Sequence, residues 1–95
     1  IISQQNIFNE HGNFLYHFYK NKLIEYSVQI KAKNIDSCYS KIVSLLSKKS
    51  AIYTGNLFKN IEDKFICNNT LILLIKDKYI FIYFIDIEMY KESYS

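Results

Sequence analysis

From Leu23 to Lys31 apolar and polar side chains alternate with a period of two. Ile24, Tyr26, Val28 and Ile30 take one face, and Glu25, Ser27, Gln29 and Lys31 the other. That is the pattern of a strand covered on one side and wet on the other. Before it, Asn13 to Tyr19 is aromatic-rich and strand-like. The intervening Lys20-Asn21-Lys22 reads as a turn, so the two segments predict an N-terminal hairpin. Residues 1–12 and 90–95 read as frayed ends of a single domain over 1–95, with a turn at Asn9-Glu10-His11-Gly12.

The period then changes. Ile35, Cys38, Tyr39, Ile42, Val43 and Leu46 recur at spacings of three and four, while Ser37, Ser40, Lys41, Ser44 and Ser47 face away. This predicts a helix over 35–49, capped by Asn34 or Asp36, with Lys48 and Lys49 beside its carbonyl end. Residues 50–67 read two ways. Ala51 to Thr54 is a short strand, Leu57, Phe58, Ile61 and Phe65 fit a short helix, and Phe65-Ile66-Cys67 equally begins a strand.

Asn68-Asn69 is a turn signal, and Thr70–Lys76 and Tyr79–Met89 read as a hairpin across Asp77-Lys78. Asp-Lys lacks the glycine that a tight turn prefers, so a loop longer by a residue or two is also compatible. Neither strand alternates. Tyr79, Phe81, Tyr83, Ile85, Ile87 and Met89 share one face; Ile80, Ile82 and Phe84 share the other until Asp86 and Glu88 turn it polar. Leu71, Leu73 and Ile75 are likewise backed by Ile72 and Leu74. Both faces therefore call for cover. One helix covers one face. A strongly curled sheet is the expected cover for the second; the alternatives are the 57–66 segment, a second copy of the chain, or a protein partner. The fold class is α+β, with a mostly antiparallel sheet in the order β-β-α-(β or short α)-β-β and one main helix packed on it.

Composition changes this picture little. The 95 residues are 49% hydrophobic and 22% charged, which suits one globular domain. There is no Pro, Trp or Arg; Ile, Asn, Lys and Tyr are abundant, as an AT-rich coding sequence would give. The net charge of +3 is mild. Without guanidinium groups the bidentate grip on phosphate and guanine is lost, which lowers the case for nucleic acid. Cys38 and Cys67 have no metal or redox spacing, so two buried thiols are expected ahead of a disulfide. The apolar run Leu71–Ile87 is split by Lys76-Asp77-Lys78, too early for a membrane-spanning helix. The expectation is a soluble, cytoplasmic protein.

Candidate chemistry is sparse. His11 and His17 are six residues apart, a spacing that suits neither a helix face nor a common zinc site. No phosphate loop, nucleophile elbow or paired-carboxylate motif is present, so no cofactor, metal or catalytic residue is assigned. The leading expectation is a non-catalytic protein-binding domain. Its candidate surface is Tyr79, Phe81 and Tyr83 with the acidic Asp86, Glu88 and Glu92, and its partner is another protein or a second copy of itself. In size, composition and motif-free α+β pattern the chain is similar in general character to immunity proteins of bacterial toxin systems, which work by occluding a toxin. Its positive charge runs against an inhibitor of a basic nuclease. The next reading is a single-stranded nucleic-acid binder using Tyr16 and Phe18 with Lys20, Lys22, Lys31 and Lys33. The third is a small hydrolase or nuclease with dispersed His, Glu and Lys.

Overall fold

The computed structural model describes residues 2–7, 10–20 and 22–94, and side chains over 12–18, 20 and 22–92. Nine elements follow in order: β1 (Ile2–Ile7), β2 (Glu10–Tyr19), β3 (Lys22–Lys31), α1 (Ile35–Lys49), β4 (Ala51–Ile52), β5 (Asp63–Cys67), β6 (Thr70–Lys76), β7 (Ile80–Asp86) and α2 (Ile87–Tyr94). The strands form one antiparallel sheet in the order β1-β2-β3-β7-β6-β5-β4. The class is α+β, as expected. The sheet is open, with β1 and β4 as its two edges, so the strong curl anticipated from the C-terminal hairpin is not what covers that hairpin.

Local chemistry explains where elements begin and end. The β2–β3 turn passes through Lys20 in the left-handed region at φ 49°, and Tyr19 pairs directly with Lys22. Of the two candidate caps for α1 it is Asn34 that serves, its side chain accepting from the Ser37 N–H at 3.0 Å. The Asn68-Asn69 turn is a two-residue hairpin loop between Cys67 and Thr70, with Asn68 at φ 55°. The β6–β7 turn is one residue longer than Asp77-Lys78, and Tyr79 belongs to it rather than to the strand.

Two expectations need correction, and one open reading is decided. Glu10, His11 and Gly12 lie in β2 and not in a turn; Asn9 lies outside the described residues. Of the two readings left open for 57–66, helix or strand, the helix does not form: 57–60 is a turn and Asp63–Cys67 is a strand. The last strand stops at Asp86, and Ile87 and Met89 are helical. Asp86 accounts for that switch, because its Oδ1 accepts the Met89 N–H at 3.0 Å and caps α2. An acidic residue that looked like the polar end of a strand face is the start of a helix.

The core has two layers, one on each side of the sheet. On the first face Val28, Ile30, Phe65, Ile72, Leu74, Ile80 and Ile82 are buried beneath Cys38 and Ile42 of α1. On the second face Leu71, Leu73 and Ile85 are covered by Tyr53, Leu57, Phe58 and Ile61 from the β4–β5 connection and by Ile87 and Tyr90 from α2. So the second apolar face of the hairpin meets the protein's own 53–61 segment and second helix. That connection is held by Tyr53, whose hydroxyl accepts the Leu57 N–H at 3.3 Å, and by Lys64, which donates to the Phe58 carbonyl at 3.0 Å. Gly55 leaves room for that ring: a Cβ on it would sit 2.3 Å from the Tyr53 hydroxyl and would push the Tyr53 side chain aside.

No disulfide joins Cys38 and Cys67. Cys38 is buried as expected, whereas Cys67 is exposed at the end of β5. Among the described residues no helix is long and apolar enough to cross a membrane.

Candidate functional site

A seven-stranded sheet is about 29 Å from first to last strand axis, and a helix with its side chains is about 10–12 Å across. One helix therefore cannot roof the whole first face. Helix α1 packs on residues of β3, β5, β6 and β7, and beside it lies an apolar groove of about 260 Å³. Ile42, Leu45 and Leu46 form its helix wall, Val28 and Ile82 contribute to its floor, and Phe14, Tyr26 and Phe84 form its sheet wall. Cross-strand pairing aligns four of these: Phe14 opposes Val28, and Tyr26 opposes Phe84. Tyr26 and Phe84 stack face to face, with centroids 4.5 Å apart and planes 12° apart; Phe14 and Tyr16 stack at 6.4 Å.

The groove is uncharged inside, and lysines stand on the adjoining outward face of α1. Burial, then the neighbouring Tyr16, push the Tyr26 phenol above its ordinary value, so this wall stays neutral. Leu45 is 36% exposed and also borders the outward surface of α1 with Ser37, Ser40, Lys41, Ser44 and Lys48. Lys41 and Lys48 stand four residues before and three after Leu45, so both share its side of the helix. Leu45 is the residue that sequence reasoning missed. It falls off the inward stripe, among serines and lysines, and a large aliphatic residue on an otherwise polar helix face was the available signal.

A second, polar cleft of about 500 Å³ lies between the start of α1 and β5–β6, lined in part by Tyr39, Asn60, Glu62, Asp63 and Lys76. Its chief groups already pair with each other. The Tyr39 hydroxyl donates to Asp63 Oδ2, and Lys76 Nζ lies 2.8 Å from Asp36 Oδ1 and 5.4 Å from the Tyr39 ring centroid. This is a latch tying α1 to the sheet, and the Lys76–Asp36 pair, being exposed, adds little. Burial, then the bond to Asp63, then the charges of Asp63 and Glu62, hold the Tyr39 phenol well above its ordinary 10.0. The folded state thus favours neutral Tyr39. Its contribution is complete below pH 10, the unfolded value, and is lost as pH rises through the folded value. Thermal melts of wild type and Tyr39→Phe should therefore differ at neutral pH by about 1 kcal/mol and converge above pH 10. A gap that persists unchanged at high pH would sink this assignment.

The earlier candidate residues are dispersed. Tyr79 and Phe81 stay together at one end of β7, edge to face at 6.5 Å, with Lys31 Nζ 5.5 Å from the Tyr79 ring. Tyr83 packs into the second core layer. Asp86 caps α2 at the opposite end, also accepting from Asn69 at 3.3 Å, and Glu88 and Glu92 are exposed on that helix. Of the nucleic-acid set, Tyr16 is half-buried on the first face and Phe18 is 51% exposed. Lys20 and Lys22 sit at one end of β3, Lys31 and Lys33 at the other, about 30 Å apart along the strand. The β3 polar face, with Glu25, Ser27 and Gln29, separates them. Among the described residues no group of three His, Cys, Asp or Glu side chains is placed to hold a metal ion.

Comparison with known proteins finds no matching family model, no matching curated protein and no matching solved structure.

Proposed function

We propose that this chain is a non-catalytic protein-binding domain whose partner seats in the groove between α1 and the β2, β3 and β7 strands. The observation that carries this reading is the groove itself, an aliphatic floor with aromatic walls that one helix leaves open. Its volume is below the roughly 300 Å³ at which small-molecule sites begin, but it suits one or two large side chains of a protein anchor. The aromatic rings support a protein over nucleic acid, because Tyr26 and Phe84 spend their faces on one another and do not offer them to bases. The finer reading is an immunity-type inhibitor that occludes a toxin. With Lys41 and Lys48 beside the groove, the matching toxin surface is acidic and not that of a basic nuclease.

Leu45→Glu tests this without threatening the fold, since Leu45 is the exposed member of the helix wall. Wild type used as bait should retain one protein at one-to-one stoichiometry, cross-linked to residues around the groove. The variant should lose it by about tenfold or more in affinity. Equal capture by both, or recovery of nucleic acid alone, would overturn the reading.

A further inference from the structure

Resting on that reading, we infer that the partner segment is an amphipathic α-helix, acidic along the flank that faces α1, laid on the sheet as the second helix of the layer. The first step is about the backbone. The groove's floor and walls are side chains of a sheet face and a helix, and its lining is almost wholly apolar. An extended peptide lying there would bury N–H and C=O groups with nothing to pair them, as the sheet's own backbone bonds are spent within its ladder. A helix satisfies its own backbone and offers only side chains.

The second step is about dimensions. Helices packed side by side on a sheet lie about 8–10 Å apart. On the groove's side of α1 that spacing sets a neighbour over the sheet wall of β2, β3 and β7, where Phe14, Tyr26 and Phe84 remain half-buried. The third step is charge. Outside the groove's own lining, Lys41 and Lys48 stand one turn before and after Leu45 on the outward flank of α1, where the edge of such a helix would pass. The carboxylates Glu25 and Asp86 border a neighbouring dip that meets the groove at Tyr26 and Phe84, on the side away from α1, and Asp86 is held by the N-terminus of α2. A flank of Glu or Asp thus meets lysines, and a flank of Lys meets its like.

The test uses three synthetic helical peptides of about four turns with the same leucine stripe: one glutamate-flanked, one lysine-flanked, and a glutamate-rich scramble that destroys the stripe. Each is titrated into the full chain and followed by amide chemical shifts. The glutamate-flanked peptide is expected to bind about fivefold or more tighter than the lysine-flanked one. Its shifts should centre on Phe14, Tyr26, Leu45 and Phe84, and its binding should weaken as salt screens the flank. In Lys41→Glu/Lys48→Glu the preference should reverse. Equal binding of all three peptides, a scramble as good as the stripe, or no reversal in the double variant overturns the inference. These outcomes concern the partner's form and charge alone. The protein-binding reading stands or falls separately, on whether Leu45→Glu releases the captured partner.

Discussion

Leu73→Asp and Ile82→Asp are each expected to abolish folding, although the two side chains lie on opposite faces of the same hairpin. Leu73 is 2% exposed beneath the 53–61 segment and α2; Ile82 is 5% exposed beneath α1. Either change deletes a buried aliphatic group, costing about 2–5 kcal/mol. Each then asks an unpaired carboxylate to stay out of water, a further penalty of several kcal/mol. Together these match the roughly 5–15 kcal/mol that holds a small domain together. Phe81→Asp, between them in sequence, should behave differently. Phe81 is half-buried beside the Tyr79 turn, where the cover of the second face thins out, so a destabilised but folded chain is expected. Circular dichroism and urea titration of the three variants decide the matter. A cooperative, native-like melt for Leu73→Asp would refute two-sided burial.

Phe58→Asp carries the second large effect, on a different quantity. Phe58 joins the β4–β5 connection to α2 through its ring contact with Tyr90, at 5.3 Å, and covers the second core layer. Its backbone is held at φ 55°, an unfavourable conformation for a large residue that only the surrounding contacts maintain. A carboxylate here should detach the connection from Leu71, Leu73 and Ile85 while the first face remains packed under α1. The expected loss is about 2–4 kcal/mol. Its signature is a folded sheet that binds a hydrophobic dye and self-associates in light scattering, because the uncovered strip is apolar. Clean unfolding with no dye-binding intermediate would show that the two layers form one cooperative unit.

The same two layers change the meaning of the apolar hairpin. Read alone, apolar residues on both faces of β6 and β7 argue for an outside partner. The chain supplies that cover itself, from a connection with no clear period and from a helix hidden at the end of a strand-like run. The surface left over lies elsewhere, beside α1 over β2 and β3. Its residues were legible as strand and helix members but not as a site, because whether Phe14, Tyr26 and Phe84 lie under a roof depends on where α1 crosses the sheet.

The sequence by itself determined the elements whose patterning is local. The alternation of Leu23–Lys31, the three-and-four spacing of 35–46 behind the Asn34 cap, and the Asn68-Asn69 turn each follow from near neighbours. Only the tertiary structure decided the rest. Strand β1 has no apolar alternation of its own and exists by pairing with β2. The stop of β7 at Asp86 depends on that carboxylate finding the Met89 N–H. The second face of the hairpin is closed by residues whose contacts lie many positions away. Periodicity records which faces must be buried, because that need is a property of each side chain; what buries them is set by how elements far apart in the chain come to lie against one another.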